Sequence, residues 1–234
     1  LRRLEAGEVA TWPITIQEGA NVYEVADILA RDGWVEREEF LSLVRDPQFI
    51  EDLGIAGEHL EGYLFPDTYY LVRGQGARAI INMMVNRLRT VVADLCGDAA
   101  ASAFNSTDPL ACPESETGRA LSLNELLTLA SIVEKETGQA AERPLIACVF
   151  LNRLQKGMRL QADPTVIYGV SDFDGNLTRK HLREDTPYNT YRRRGLPPTP
   201  IANPGREAIA AVLQPARESY LYFVSRNDGT HKFS

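Results

Sequence analysis

The stretch LSLNELLTLASIVEKETG, residues 121–138, decides how the second half of the chain is read. Ser122 followed three residues later by Glu125 forms a capping box, and Leu121 with Leu126 supplies the hydrophobic staple that accompanies one. A helix is therefore expected from about Leu123 to a stop at Gly138. At about 100° per residue, Leu123, Leu126, Leu127, Ala130 and Val133 share one apolar arc, and Leu129 and Ile132 extend it. Where the arc runs out, two carboxylates flank a lysine. Glu134 falls one turn after Ala130, between the directions of Leu123 and Leu127, while Glu136 lies at the far edge beside Leu129 and Ile132. A carboxylate in a low-dielectric site resists ionisation and can hold a proton near neutrality, which makes a general acid. The helical wheel favours Glu134 for that role without excluding Glu136, and both also fit the solvated end of a core helix.

Upstream, TWPITIQEGANVYEVADILARDGW (residues 11–34) predicts a strand over 13–17, a turn at Glu18–Gly19, and a helix capped by Asn21 with Val22, Val25, Ala26 and Leu29 on one stripe. A second helix is expected over 36–44, then a loop, and then a strand over 68–72 after the Pro66–Asp67 turn. The order strand, helix, helix, strand makes a small α+β module. A long helix over 77–95 follows. Residues 97–120, rich in Ala, Ser, Thr, Gly and Pro and without periodicity, read as an exposed loop or insertion.

Downstream, a helix is expected over 143–156. Asp163 before Pro164 reads as an N-cap with a first-turn proline, starting a short helix closed by Gly169. Residues 187–205, PYNTYRRRGLPPTPIANPG, hold five prolines and cannot be a regular helix or a central strand. Rigid irregular backbone carrying Tyr188, Asn189 and Tyr191 suits a carbohydrate, because tyrosine faces cover apolar sugar faces and an amide both donates and accepts. It also fits a proline-braced connection. A helix from Gly205 and a final hairpin turning at 227–229 complete the chain.

The composition excludes several classes. The 234 residues are 44% hydrophobic, enough for a sizeable core, and the net charge of -7 argues against a nucleic-acid partner. Residues 1–140 carry 23 acidic against 11 basic side chains, whereas residues 141–234 carry 9 against 14. An anionic ligand is therefore expected nearer the C-terminal part. Cys96, Cys112 and Cys148, with His59, His181 and His231, show no metal-ligand spacing, so neither metal nor cofactor is expected. Cys96 and Cys112 bracket the small-residue loop and are placed to form a disulfide in an oxidising compartment, and Cys148 reads as a buried thiol. The opening LRRLEAGEV, without methionine, reads as an excised segment whose parent carries an upstream anchor or targeting sequence.

Five blocks in order, EGYLFPDTYYL (61–71), ASIVEKETG (130–138), LQADPTVIYG (160–169), YNTYRRRGLPPTPIANPG (188–205) and YLYFVSRNDGTHKFS (220–234), resemble the YceG-like, or MltG-like, endolytic murein transglycosylases. Ala162 stands where that family often has a small hydroxyl residue, and Thr199 where a glycine is common. The resemblance implies an α+β fold with a LysM-like βααβ module over residues 1–75 and a catalytic domain over 76–234. It implies an enzyme that cleaves within peptidoglycan glycan strands, anchored in the cytoplasmic membrane by a segment absent here and facing the periplasm or cell wall, with peptidoglycan synthases as plausible partners. It also implies one catalytic glutamate, the first of the Glu-Lys-Glu block, Glu134. Gln161, Asp163, Tyr188, Asn189 and Tyr191 are then expected to hold the sugar, and basic residues such as Arg153 to meet the anionic stem peptides. A muramidase-type hydrolase and a non-catalytic wall-binding module are the alternatives.

Overall fold

The computed structural model describes residues 10–108, 110, 112, 121–171, 173–226 and 228–234. Strand β1 (Trp12–Thr15) pairs antiparallel with β2 (Thr68–Leu71), with Trp12 opposite Leu71 and Thr15 opposite Thr68. Between them lie α1 (Val22–Arg31), α2 (Arg37–Leu43) and α3 (Pro47–Asp52). The expected two helices are therefore three. Helix α3 is short, but Asp46 caps it through the Phe49 amide and Pro47 opens its first turn, a local signal that the expected loop conceals. Asn21 and Glu24 make the reciprocal capping box of α1, an arrangement worth about 1 kcal/mol, and Val22, Val25, Ala26 and Leu29 are buried as the stripe predicts.

Helix α4 (Ala77–Cys96) ends at Gly97, and a 3-10 segment, Asp98–Asn105, follows. Here the expected exposed loop is wrong in its first part. Ala100, Ala103 and Phe104 are buried, Phe104 meets Tyr63 edge to face, and its carbonyl accepts from the Ala56 amide at 2.7 Å. Small residues without a 3.6 period resemble a loop in composition, yet a 3-10 turn can bury them. Cys96 and Cys112 form a disulfide, and Cys148 is a buried free thiol. Residues 113–120 of the expected insertion lie outside the described residues.

Helix α5 (Leu123–Glu136) starts at the predicted box: the Ser122 hydroxyl accepts from the Glu125 amide, and the Glu125 carboxylate accepts from Ser122 N–H. It ends two residues before Gly138, with Thr137 already extended. Leu126, Leu127, Leu129, Ala130, Ile132 and Val133 are fully buried. Helices α6 (Arg143–Gln155) and α8 (Arg206–Leu213) pack on α5 and on each other, and α7 (Asp163–Tyr168) packs against α5 as well. The first residue expected to cap α7, Asp163, is instead inside its first turn, and Ala162 holds the cap position. The hairpin β3 (Phe223–Ser225) and β4 (His231–Phe233) is tied to the turn before α6 by His231, whose ring lies 2.7 Å from Glu142. Asn227 of the expected turn lies outside the described residues. Among those described, no helix is long and apolar enough to cross a membrane.

One junction binds the N-terminal elements to the C-terminal loops. Glu61 is fully buried and accepts from the Val22 amide at the start of α1, from the Tyr168 hydroxyl at the end of α7 (2.9 Å), and from the Asn203 amide. Asn203, also fully buried, accepts from Leu64 N–H and donates to the Ala20 carbonyl. Beside it, Gly62 has φ +87°, and a Cβ there would lie 2.4 Å from Pro200. Both the backbone conformation and the close approach require glycine.

Gly62→Ala is expected to cost about 3 kcal/mol through left-handed strain and overpacking, read as a lower urea midpoint at unchanged m-value. Burial pushes the Glu61 carboxyl from 4.5 up to about 8. The folded state then keeps a proton that the unfolded chain releases above pH 4.5, so this group's contribution is complete below 4.5 and lost as pH rises through about 8. The melting temperature is expected to fall across that window, and Glu61→Gln to flatten the fall.

Candidate active site

The two glutamates at the end of α5 occupy opposite electrostatic settings. Glu134 points into the interior, as the wheel predicts, and its side chain is only 6% exposed. Its carboxylate is saturated there: Arg143 Nη2 donates to Oε1 at 2.9 Å, and the Gly205 amide, capping α8, donates to Oε2 at 2.9 Å. Both partners are fixed by the fold, one as a helix-capping amide and the other as a nearly buried guanidinium. Glu18, in the turn after β1, lies 3.8 Å from the same Arg143, and its carboxyl is raised by burial and by the Glu134 charge. Lys135 donates to the Gly19 carbonyl at 3.1 Å, so the same turn grips the helix end from the other side.

Glu136 is partly buried, and its carboxyl has no hydrogen-bond or ion-pair partner among the described residues. Burial pushes it from 4.5 up to about 8, the Asp163 charge adds to the rise, and Arg153 offsets part of it. Its place at the C-terminal end of α5, where the helix dipole disfavours an anion, acts in the same direction. The criterion that favours Glu134 on the wheel, a carboxyl able to keep its proton, is therefore met by Glu136. Burial direction is written in the helical period; the identity of the buried partner is not.

Around Glu136 stand parts of two loops. Asp163, exposed at the start of α7, accepts from the Tyr191 hydroxyl at 2.6 Å, and burial together with that bond raises the Tyr191 phenol. Gln161, two residues before Asp163, is exposed with φ +53°, left-handed backbone that non-glycine residues rarely adopt and that costs on the order of 1–3 kcal/mol. Thr190 fixes the loops to each other: its carbonyl accepts from Gln161 N–H, and its hydroxyl accepts from the Ala162 amide at 3.0 Å and meets Thr165 at 2.8 Å. Nothing in the sequence marks Thr190 out from the tyrosines around it.

Three expected contacts fall elsewhere. Asn189 is fully buried; its amide donates to the carbonyls of His181, Leu182 and Glu184, and its oxygen accepts from Tyr191 N–H. It braces the loop and has no group left for a sugar. Arg153 is buried, donating to the Leu221 and Leu160 carbonyls under the Tyr222 ring, so it shapes the site instead of meeting an anion in solvent. Tyr188 turns away into a second cleft, edge to face with Tyr168 and 2.8 Å from the Thr199 hydroxyl. Glu61 is the residue that the sequence reading passes over. A single acid inside LEGYLF, otherwise apolar or glycine, is the signal that could have found it.

Among the described residues, no group of three or more His, Cys, Asp or Glu could hold a metal ion. What converges is one proton-retaining carboxyl, a second carboxylate nearby, and a phenol. Such a set can donate and retrieve a proton at one place.

The chain matches the profile of the YceG-like family over residues 1–234. It is 31% identical over 250 residues to a protein of Bacillus subtilis (strain 168) named endolytic murein transglycosylase, covering all of this chain and 65% of that protein. A protein of the same name from Streptococcus pneumoniae serotype 2 is 32% identical over 202 residues, covering 82% of this chain and 34% of the relative. The chain thus spans less than two thirds of either. A crystal structure of a YceG-like protein from Listeria monocytogenes, 32% identical, superimposes with a TM-score of 0.79 over all of this chain and 76% of the other.

Arg143→Met is expected to leave Glu134 buried without its counter-ion, with only the Gly205 amide as partner, and to cost about 3–5 kcal/mol. Adding Glu134→Leu is expected to recover much of the loss, a coupling that a double-mutant cycle by chemical denaturation measures.

Proposed function

The chain belongs to the YceG-like family, and we propose that it is the catalytic part of an endolytic lytic transglycosylase acting on peptidoglycan glycan strands, with Glu136 in place of Glu134 as its acid. The observation that carries the assignment is the Glu136 carboxyl, without a partner among the described residues, raised to about 8 and facing Asp163 and Tyr191. Protonated Glu136 donates to the glycosidic oxygen between N-acetylmuramic acid and N-acetylglucosamine as that bond breaks. The resulting carboxylate then takes the proton of the muramyl C6 hydroxyl, whose oxygen bonds to C1 and closes a 1,6-anhydro ring. No water is consumed, and Glu136 ends protonated as it began.

Most glycosidases use two carboxylates that flank the bond, and substrate-assisted enzymes are the exception. The acetamido group of the substrate can stabilise the positive charge at C1 in this reaction. Asp163 contributes its field, keeping the proton on Glu136 until the leaving oxygen draws it away, and Tyr191 fixes the direction of Asp163. Gln161, exposed and held in a strained conformation beside them, is assigned to a sugar hydroxyl or amide. The chemistry asks for no metal or cofactor.

Residues 1–75 are read as a LysM-like module that holds the wall, and 76–234 as the catalytic domain. The domain is read as held at the cytoplasmic membrane, facing the periplasm or wall and working beside peptidoglycan synthases.

Digestion of intact sacculi, with mass analysis of the fragment ends, tests the reading. Anhydro ends are expected, one water lighter than the ends a muramidase leaves; unchanged sacculi that still bind the protein would favour the wall-binding alternative. Glu136→Gln is expected to lower the rate by about 10²–10⁴-fold, and Glu134→Gln to act mainly through stability. The opposite ranking of the two variants returns the acid to Glu134. Because the protonated form of Glu136 does the work, kcat/KM is expected to decline as pH rises through about 8.

A further inference from the structure

A second cleft, of about 690 Å³, opens between the N-terminal helices and the α7 end, lined by Tyr23, Arg45, His59, Tyr168, Tyr188 and Thr199. Its floor is the Glu61 junction: the Glu61 carboxyl accepts from Tyr168, and the Glu61 amide donates to His59 Nδ1 at 2.9 Å. Its walls are tyrosine rings. Tyr23 is 39% exposed, and Tyr188 packs edge to face on Tyr168 at 4.9 Å.

Arg45 is the one cation lining this cleft among the described residues. Tyr23 orients it: Nη2 donates to the Tyr23 hydroxyl, and its guanidinium lies 5.5 Å from the Tyr23 ring centroid, while the neutral His59 ring stands beside Nε, its Nε2 3.2 Å away. Burial and the Arg45 charge push the His59 imidazole down to about 4, so at neutral pH it adds no charge of its own. No carboxylate pairs with Arg45 among the described residues, and its Nη1 amino group has no partner there. Of the two acids at the rim, Asp185 is paired with Arg193 at 3.1 Å, and Glu58 is exposed. An arginine oriented by neutral partners, with part of its fork unused, is built for a carboxylate that arrives from outside.

The cleft is joined to the candidate active site by α7, whose six residues span about 9 Å from Asp163 to Tyr168, and by the loop that carries both Tyr188 and Tyr191. We propose that this cleft is a subsite for the peptide borne by a muramyl residue of the strand being cut, with Arg45 pairing a peptide carboxylate and the tyrosines covering the peptide's apolar stem. The proposal rests on peptidoglycan being the substrate. It adds that the protein reads the peptide as well as the glycan, through residues contributed by the N-terminal module.

The test uses the 234-residue chain carrying Glu136→Gln, so that the ligand survives, and two soluble probes: a GlcNAc-MurNAc disaccharide with its stem peptide, and the same disaccharide after amidase removes the peptide. By calorimetry, Arg45→Gln is expected to weaken the peptide-bearing probe about tenfold and to leave the peptide-free probe unchanged. The His59 ring resonances are expected to move only with the first probe. Tyr23→Phe, which removes only the hydroxyl that orients Arg45, is expected to reproduce part of the loss and serves if Arg45→Gln fails to fold. Equal affinity of the two probes, no measurable binding of the peptide-bearing probe, or indifference of both variants overturns the proposal. The outcome is separable from the activity. Selective loss in a protein whose Glu136 form releases no anhydro ends keeps the subsite and removes the transglycosylase reading; normal release with no selective loss does the reverse.

Discussion

A single buried carboxyl group holds the front of this chain to its back. Glu61 has no solvent exposure, and the start of α1, the end of α7 and the Asn203 loop all direct donors at it. The Val22 amide is buried and would be stranded without it, at a penalty of about 1–3 kcal/mol. The geometry follows from that requirement. Helix α7 is positioned by Tyr168 at one end, so Asp163 at the other end is placed relative to the N-terminal elements as well as to α5. Gly62 then lets Pro200 approach until no side chain fits between them, which presses the proline-rich loop onto the same junction.

Much of this architecture was legible in local sequence. The N-cap at Asn21, the capping box at Ser122, the apolar stripe of α1, the broad arc of α5 and the two strands at either end of the first module all follow from rules that act over a few residues. What escaped was short or aperiodic. Helix α3 spans six residues, too few for a period to show, and the 3-10 segment after α4 buries alanines whose composition resembles a loop. The junction at Glu61 was not legible, because its partners lie 39, 107 and 142 residues away.

The candidate site divides along the same line. That two carboxylates end α5, and that Glu134 faces inward, could be read from the helical period. Which of them is spent on structure depends on Arg143 and Gly205, placed by a turn and by a helix start that no period encodes. Asn189 teaches the converse lesson. An amide in an irregular, proline-rich loop looks free to bind a ligand, but irregular backbone has many unpaired carbonyls of its own, and Asn189 satisfies three of them.

The end of α4 offers a last consequence. The Cys96–Cys112 bridge returns the chain to the helix it has just left, and the Leu110 amide donates to the Leu121 carbonyl at 2.7 Å. Residues 110 and 121 thus meet at nearly one point, with Cys112 pinned beside the end of α4. Between two chain positions fixed so close together, added length costs only the slow logarithm of loop closure. The helix that carries both glutamates then starts from its own Ser122 cap, one residue beyond that meeting point.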